Sequence, residues 1–163
     1  MPTDSLRELI MEQIETTIAG ISTGATYFTT FALVERVRQN PLEKEVYPQV
    51  CIVEGDESYP AGTEADAPWA TADLQETGVR LPLEIWFADR DSDNRSKKGN
   101  RILRDLKLAL MSLDGAIIAD TTIAVRITGD TLPLTVIEAP MVQGAVYATL
   151  SFAHAFGNPT MAS

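Results

Sequence analysis

Thiols and imidazoles are almost missing from this 163-residue chain, which has one cysteine, Cys51, and one histidine, His154. A lone cysteine excludes an internal disulfide, and the two residues together fall short of the ligand set that structural zinc sites take. Cys51 stands in the apolar run VCIV and reads as a small core residue. A chain with so few thiols fits folding in a reducing cytoplasm. Positive charge is also scarce: 13 Lys and Arg face 23 Asp and Glu, for a formal net charge of −10. That balance argues against nucleic-acid binding, sequence-specific binding included, because phosphate contacts need clustered cations. No apolar run approaches the roughly 20 residues of a membrane span. The opening MPTDSLRELI has neither the basic start nor the apolar centre of a secretion signal. There is no G-x-G-x-x-G and no glycine-rich phosphate loop, so no cofactor is expected.

What remains is ordinary for a folded protein, with 45% hydrophobic and 22% charged residues. The length suits a single domain over 1–163. Ser5 and Glu8 have capping-box spacing, and Leu6, Leu9, Ile10, Ile14 and Ile18 repeat with helical period, so a helix is predicted over 5–19, stopped by Gly20. Residues 27–38 are rich in aromatic and β-branched types and predict a strand; Val50–Val53 predicts a second. Residues 55–76, acidic and broken by Gly and Pro, read as a long loop or insertion. Alternation is clearest in GVRLPLEIWFAD, where Val79, Leu81, Leu83, Ile85 and Phe87 form one face. Pro82 lacks a ladder donor, which points to an edge or a bulge. Asp91 to Asn94 offer helix caps, and a helix follows over about 94–112. Alternating runs at 122–128 and 145–156 complete the set, and 157–163 reads as a loose tail. The predicted order is α-β-β-(loop)-β-α-β-β. This is an α+β two-layer sandwich, a mostly antiparallel sheet with two helices packed on one face.

Six of the thirteen Lys and Arg lie in RSKKGNRILRDLK, residues 95–107. On a helical wheel Lys97, Arg101, Arg104 and Lys107 fall opposite Ile102, Leu103, Leu106 and Leu110. The simplest reading is a solvated helix face; the functional one is a docking stripe. A matching surface exists in the same chain, since Glu45 to Val79 contains eight acids and no Lys or Arg. Separate poles of opposite sign suit head-to-tail docking between copies. The candidate interface residues are Arg101, Arg104 and Lys107 on one side, and Asp56, Glu57, Glu64 and Asp66 on the other. Trp86, on the strand face opposite Leu81, Leu83 and Ile85, is a further candidate, with Trp69 as another possible anchor.

Motifs that would carry chemistry are thin. Gly20–Gly24 matches G-x-S-x-G in letters, but a nucleophile elbow runs from strand to helix, and the order here is reversed. His154 shares parity with Val146, Leu150 and Phe152 on a predicted strand. Asp89, Asp91 and Asp93 imitate a calcium loop, yet Asn94 and Asn100 stand where its glycine and closing glutamate belong.

In its segments SLRELIMEQIETTIAGI, FALVERVRQNPLEKEVYPQVCIVEGDE, LPLEIWFADRDSDN, GNRILRDLKLALMS and GAVYATLSFAHAF, the chain resembles the tail-terminator or tail-completion proteins of long-tailed bacteriophages. The resemblance spans most of residues 4–156 and rests on element order and texture. It implies two helices on an antiparallel sheet and a hexameric ring. It also implies docking onto the last ring of the tail tube, a joining surface for the neck or connector, and a place in the virion tail after assembly in the host cytoplasm. The family has no catalytic residues to carry over, so no enzyme is expected. The alternatives are another neck, head-closure or injection-system component, and a small α+β hydrolase or ligand-binding protein, for which Ser22 would have to meet His154.

Overall fold

The first helix starts where its cap dictates. In the computed structural model, which describes residues 4–36, 44–59, 76–90, 94–133 and 141–155, helix α1 spans Leu6–Ala19. The Ser5 hydroxyl accepts the Glu8 amide at 3.1 Å, satisfying one of the donors a helix start leaves open. Gly20 ends the helix. Leu6, Ile10, Met11, Ile14 and Ile18 are fully buried.

Strands β1 (Leu33–Arg36), β2 (Gln49–Glu54) and β3 (Glu76–Arg90) follow, then helix α2 (Arg95–Met111). The small hairpin β4 (Ile117–Ile118) and β5 (Thr121–Thr122) precedes β6 (Ala124–Thr131) and β7 (Met141–Ala155). The main sheet has the order β1-β2-β3-β7-β6, and all its pairings are antiparallel except β1 with β2. Val79, Leu81, Leu83, Ile85 and Phe87 of β3 join Val146, Leu150 and Phe152 of β7 in one core with the apolar faces of both helices. Each fully buried Leu or Ile there contributes about 1.5–3 kcal/mol. The molecule is the expected α+β sandwich, two helices over one face of a mostly antiparallel sheet. Arg80, Pro82 and Glu84 are exposed on the other face.

Several local expectations need correction. The strand expected over 27–38 is confined to Leu33–Arg36 among the described residues. Upstream, the amide of Phe28 donates to the Asp105 carboxylate at 2.9 Å and its carbonyl accepts from the Thr23 hydroxyl at 3.3 Å, so neither group is available to a ladder. Pro82 lies in the central strand and not at an edge. Its carbonyl accepts from Gly55, which follows the last residue of β2, so the missing Pro82 donor faces the point where β2 has ended. The β4–β5 hairpin was not foreseen. It turns through Ala119 and Asp120, both with positive φ (48° and 64°), in place of the usual Asn-Gly. Cys51 is fully buried as expected, but it pairs with Trp86 on the face away from the helices. The central part of the acidic 55–76 segment and the 157–163 tail lie outside the described residues.

An ion-pair network fastens α1 to the sheet. Arg36 of β1 bonds both oxygens of Glu8 and one of Glu54, while Arg7 bonds Glu54 at 2.9 Å and reaches Glu57 at 3.3 Å. The hydrogen bonds from Arg36 hold the Glu8 carboxyl below its ordinary value. The same bonds raise Arg36 further above its already high one. For Arg7, burial opposes the charge, but the bonds and charges of Glu54 and Glu57 outweigh it.

A side-chain carbon added at Gly144 would lie 2.5 Å from the Thr131 carbonyl oxygen and 2.8 Å from the Phe87 ring. Both neighbours are held, one by the β6–β7 ladder and one by the core. Gly144→Ala is expected to destabilise by about 1–3 kcal/mol, read as a lower urea midpoint. A depressed folded-state value makes the Glu8 contribution complete above its ordinary 4.5 and lost as pH falls through the lower folded value. Solvent screening keeps that contribution small. Glu8→Gln should therefore cost stability at pH 7 and converge with wild type in acid, measured as urea midpoint against pH.

Candidate functional site

Helix α2 begins at the Asn94 cap, whose side chain accepts the Lys97 amide, with no acid in the first turn. Ile102, Leu103, Leu106, Ala109 and Leu110 point into the core, and this orientation fixes where the cations stand. Lys97, Arg101 and Arg104 are exposed and Lys107 is half-buried, so the basic stripe faces outward as its spacing predicts.

The stripe is not uniformly free. Arg104 donates to the Thr26 carbonyl at 2.5 Å and to buried Asp105 at 3.0 Å. Lys107 is paired with Asp130. Lys98 is paired with Asp89 at 3.0 Å and also donates to the Arg90 carbonyl. Lys97 and Arg101 have no carboxylate partner among the described residues. Arg101 instead lies over the Phe28 ring at 4.7 Å, with Arg104 over the same ring at 5.2 Å. Phe28 is 52% exposed, a large apolar ring held at the surface beside two guanidinium groups. Beside this stack is a cleft of about 490 Å³ that runs from Phe28 and Pro48 to Asn94, Lys97 and Arg101.

The acidic candidates are divided in the same way. Asp56 is exposed and has no partner among the described residues. Glu57 is engaged by Arg7, and it accepts from the Tyr59 hydroxyl at 2.8 Å, which pushes the Tyr59 phenol up. Glu64, Asp66 and Trp69 lie outside the described residues. Trp86 is half-buried on the open sheet face, edge-on to Tyr147 at 6.4 Å and donating to Glu84. It packs locally and remains partly accessible.

The chemical motifs fare as follows. Ser22 is exposed just after α1, and the His154 side chain lies outside the described residues. Asp89 is engaged by Lys98, while Asp91 and Asp93 lie outside the described residues. The described residues contain no cluster of three or more His, Cys, Asp or Glu able to hold a metal ion.

Sequence reasoning missed Phe28 and Asp105. Asp105 carried a signal, being an acid at i+3 from Ile102 and i−4 from Ala109 within the apolar stripe. Fully buried, it anchors the irregular segment 20–32 to α2 through the Phe28 amide.

No family model matches the chain, and no curated protein matches it. Among solved structures it is similar to a chain from the virion of a native gene transfer agent particle. The identity is 12% and the TM-score 0.43, over 91% of this chain and 95% of that chain. The likeness is a loose one of chain path and carries no functional argument.

Asp105→Ala leaves the Phe28 amide without its acceptor, and the expected loss is about 1–3 kcal/mol. Faster hydrogen exchange at Phe28, with the exchange of the β3–β7 amides little changed, is the signature to look for. Asp105→Asn, which keeps an acceptor oxygen, should recover much of the protection.

Proposed function

We propose that this protein is a structural component of a phage-like virion, and more narrowly a ring that caps the tail tube and offers the joining surface to the neck or connector. The observation that carries this reading is the layout of charge on a two-layer sandwich. Exposed Asp56 lies beside the end of β2, while Lys97 and Arg101 lie at the start of α2, next to the far end of β3. Sites of opposite sign set apart along β3 suit head-to-tail association, which closes into a ring when the rotation permits. The sandwich has the element order on which the resemblance to tail-terminator proteins rests.

The mechanism is geometric and transforms no substrate. One face of a closed ring matches the end of the tube, and the other does not repeat it, so polymerisation stops. Six copies in a ring would multiply a weak contact with the tube through avidity. The opposite face is then free for the neck.

Native mass spectrometry of the purified protein, alone and with tail tubes, should give a hexamer or its tube-bound form. Electron micrographs of particles made without the protein should show tails of irregular, overgrown length. Tails of uniform wild-type length in its absence would reject the capping role.

A further inference from the structure

We infer that the cleft at the N-terminal half of α2 is a carboxylate-docking site for the acidic segment that leaves β2 in a second copy of this chain. The inference rests on the ring reading and narrows it to one pair of surfaces. It also shifts the positive pole away from Arg104 and Lys107, which are held within their own chain.

Three properties of the cleft select a carboxylate. Lys97 and Arg101 line it without an ion-pair partner among the described residues, and the one acid in the lining, Asp89, is already held by Lys98. The N-terminal turn of α2 adds its partial positive charge, and no acid in that turn neutralises it. Contact with the Phe28 ring, 4.7 Å from its centre, restrains the Arg101 guanidinium before a partner arrives. Phe28 is itself fixed, because its amide is bound to Asp105. An exposed aromatic ring beside a pre-set arginine is the kind of anchor on which binding energy concentrates.

The occupant follows from where the acids are. Asp56 is exposed and unpaired among the described residues, while Glu54 and Glu57 on either side are held by Arg7 and Arg36. The root of the acidic segment is thus fastened and Asp56 projects from it. Gly55 bonds to Pro82 in the middle of β3, and the cleft is lined by Asp89 near the end of the same strand. At ~3.3 Å per residue the stretch from 82 to 89 spans roughly 23 Å. Asp56 therefore cannot reach the cleft of its own chain, whereas a neighbour placed head-to-tail brings the two together.

The test uses the full-length protein in two separately prepared variants, Thr29→Cys in the cleft wall and Ser58→Cys beside the acidic root. Both leave Lys97, Arg101 and Asp56 intact, and native Cys51 is fully buried and so protected from a thiol reagent. A short bis-maleimide should cross-link the mixture several-fold more than either variant alone, and the product should fall as salt rises. An Asp56→Arg copy should likewise restore assembly to an Arg101→Glu copy when each alone assembles poorly. Rings that form normally with Arg101→Glu, and mixtures that give no cross-link, would overturn this docking site and leave the ring reading standing. If the wild-type protein forms no ring with or without tubes, the ring reading falls and this inference with it. Cross-linking to a different virion protein in place of a second copy would also overturn it.

Discussion

Everything else in the molecule is arranged around the antiparallel pairing of β3 with β7, fifteen residues against fifteen. This pair supplies the centre of the sheet, with β2 added on one side and β6 on the other. Its inward side chains are the floor on which both helices pack. Its length also sets the distance between the two charged regions, since one lies beside Pro82 and the other beside Asp89.

The two helices play different parts. Helix α1 is fastened at its first turn by Arg7 and Glu8, through Glu54 and Arg36, to the β1–β2 side of the sheet. These pairs are partly exposed, so they contribute more to position than to stability. Helix α2 serves as a platform: its buried side fixes the rotation about its axis, and Asp105 draws segment 20–32 against it. Side chains distant in sequence, Phe28 and Arg101, thereby become neighbours on one surface.

Local periodicity was readable and long-range pairing was not. The Ser5 cap, the apolar stripes of both helices and the inward residues of β3 were all legible, because each depends on neighbours within a turn or two along the chain. The segment before β1 was misread as strand because its decisive acceptor, Asp105, lies 77 residues from Phe28. The hairpin at Ala119–Asp120 was invisible because its left-handed turn uses residues that rarely signal one. At the candidate site, the outward direction of the Arg101, Arg104 and Lys107 stripe could be read from the wheel. Which cations were already engaged could not, because Thr26 and Asp130 come from other parts of the chain.

Among the described residues the sheet is open, with β1 at one margin and β6 at the other, and both margins are unattractive. On one side β1 has four described residues, two of them, Glu35 and Arg36, charged and already paired within the chain; on the other, the β6 ladder slips register between Ile127 and Gly129. Short, charged or bulged borders resist the backbone-to-backbone zipping by which exposed strands template aggregates. Copies of this protein at high concentration are thus denied the easiest unspecific way to stick. Any association between copies would then rest on side chains, whose geometry permits a finite object where strand addition would run on without limit.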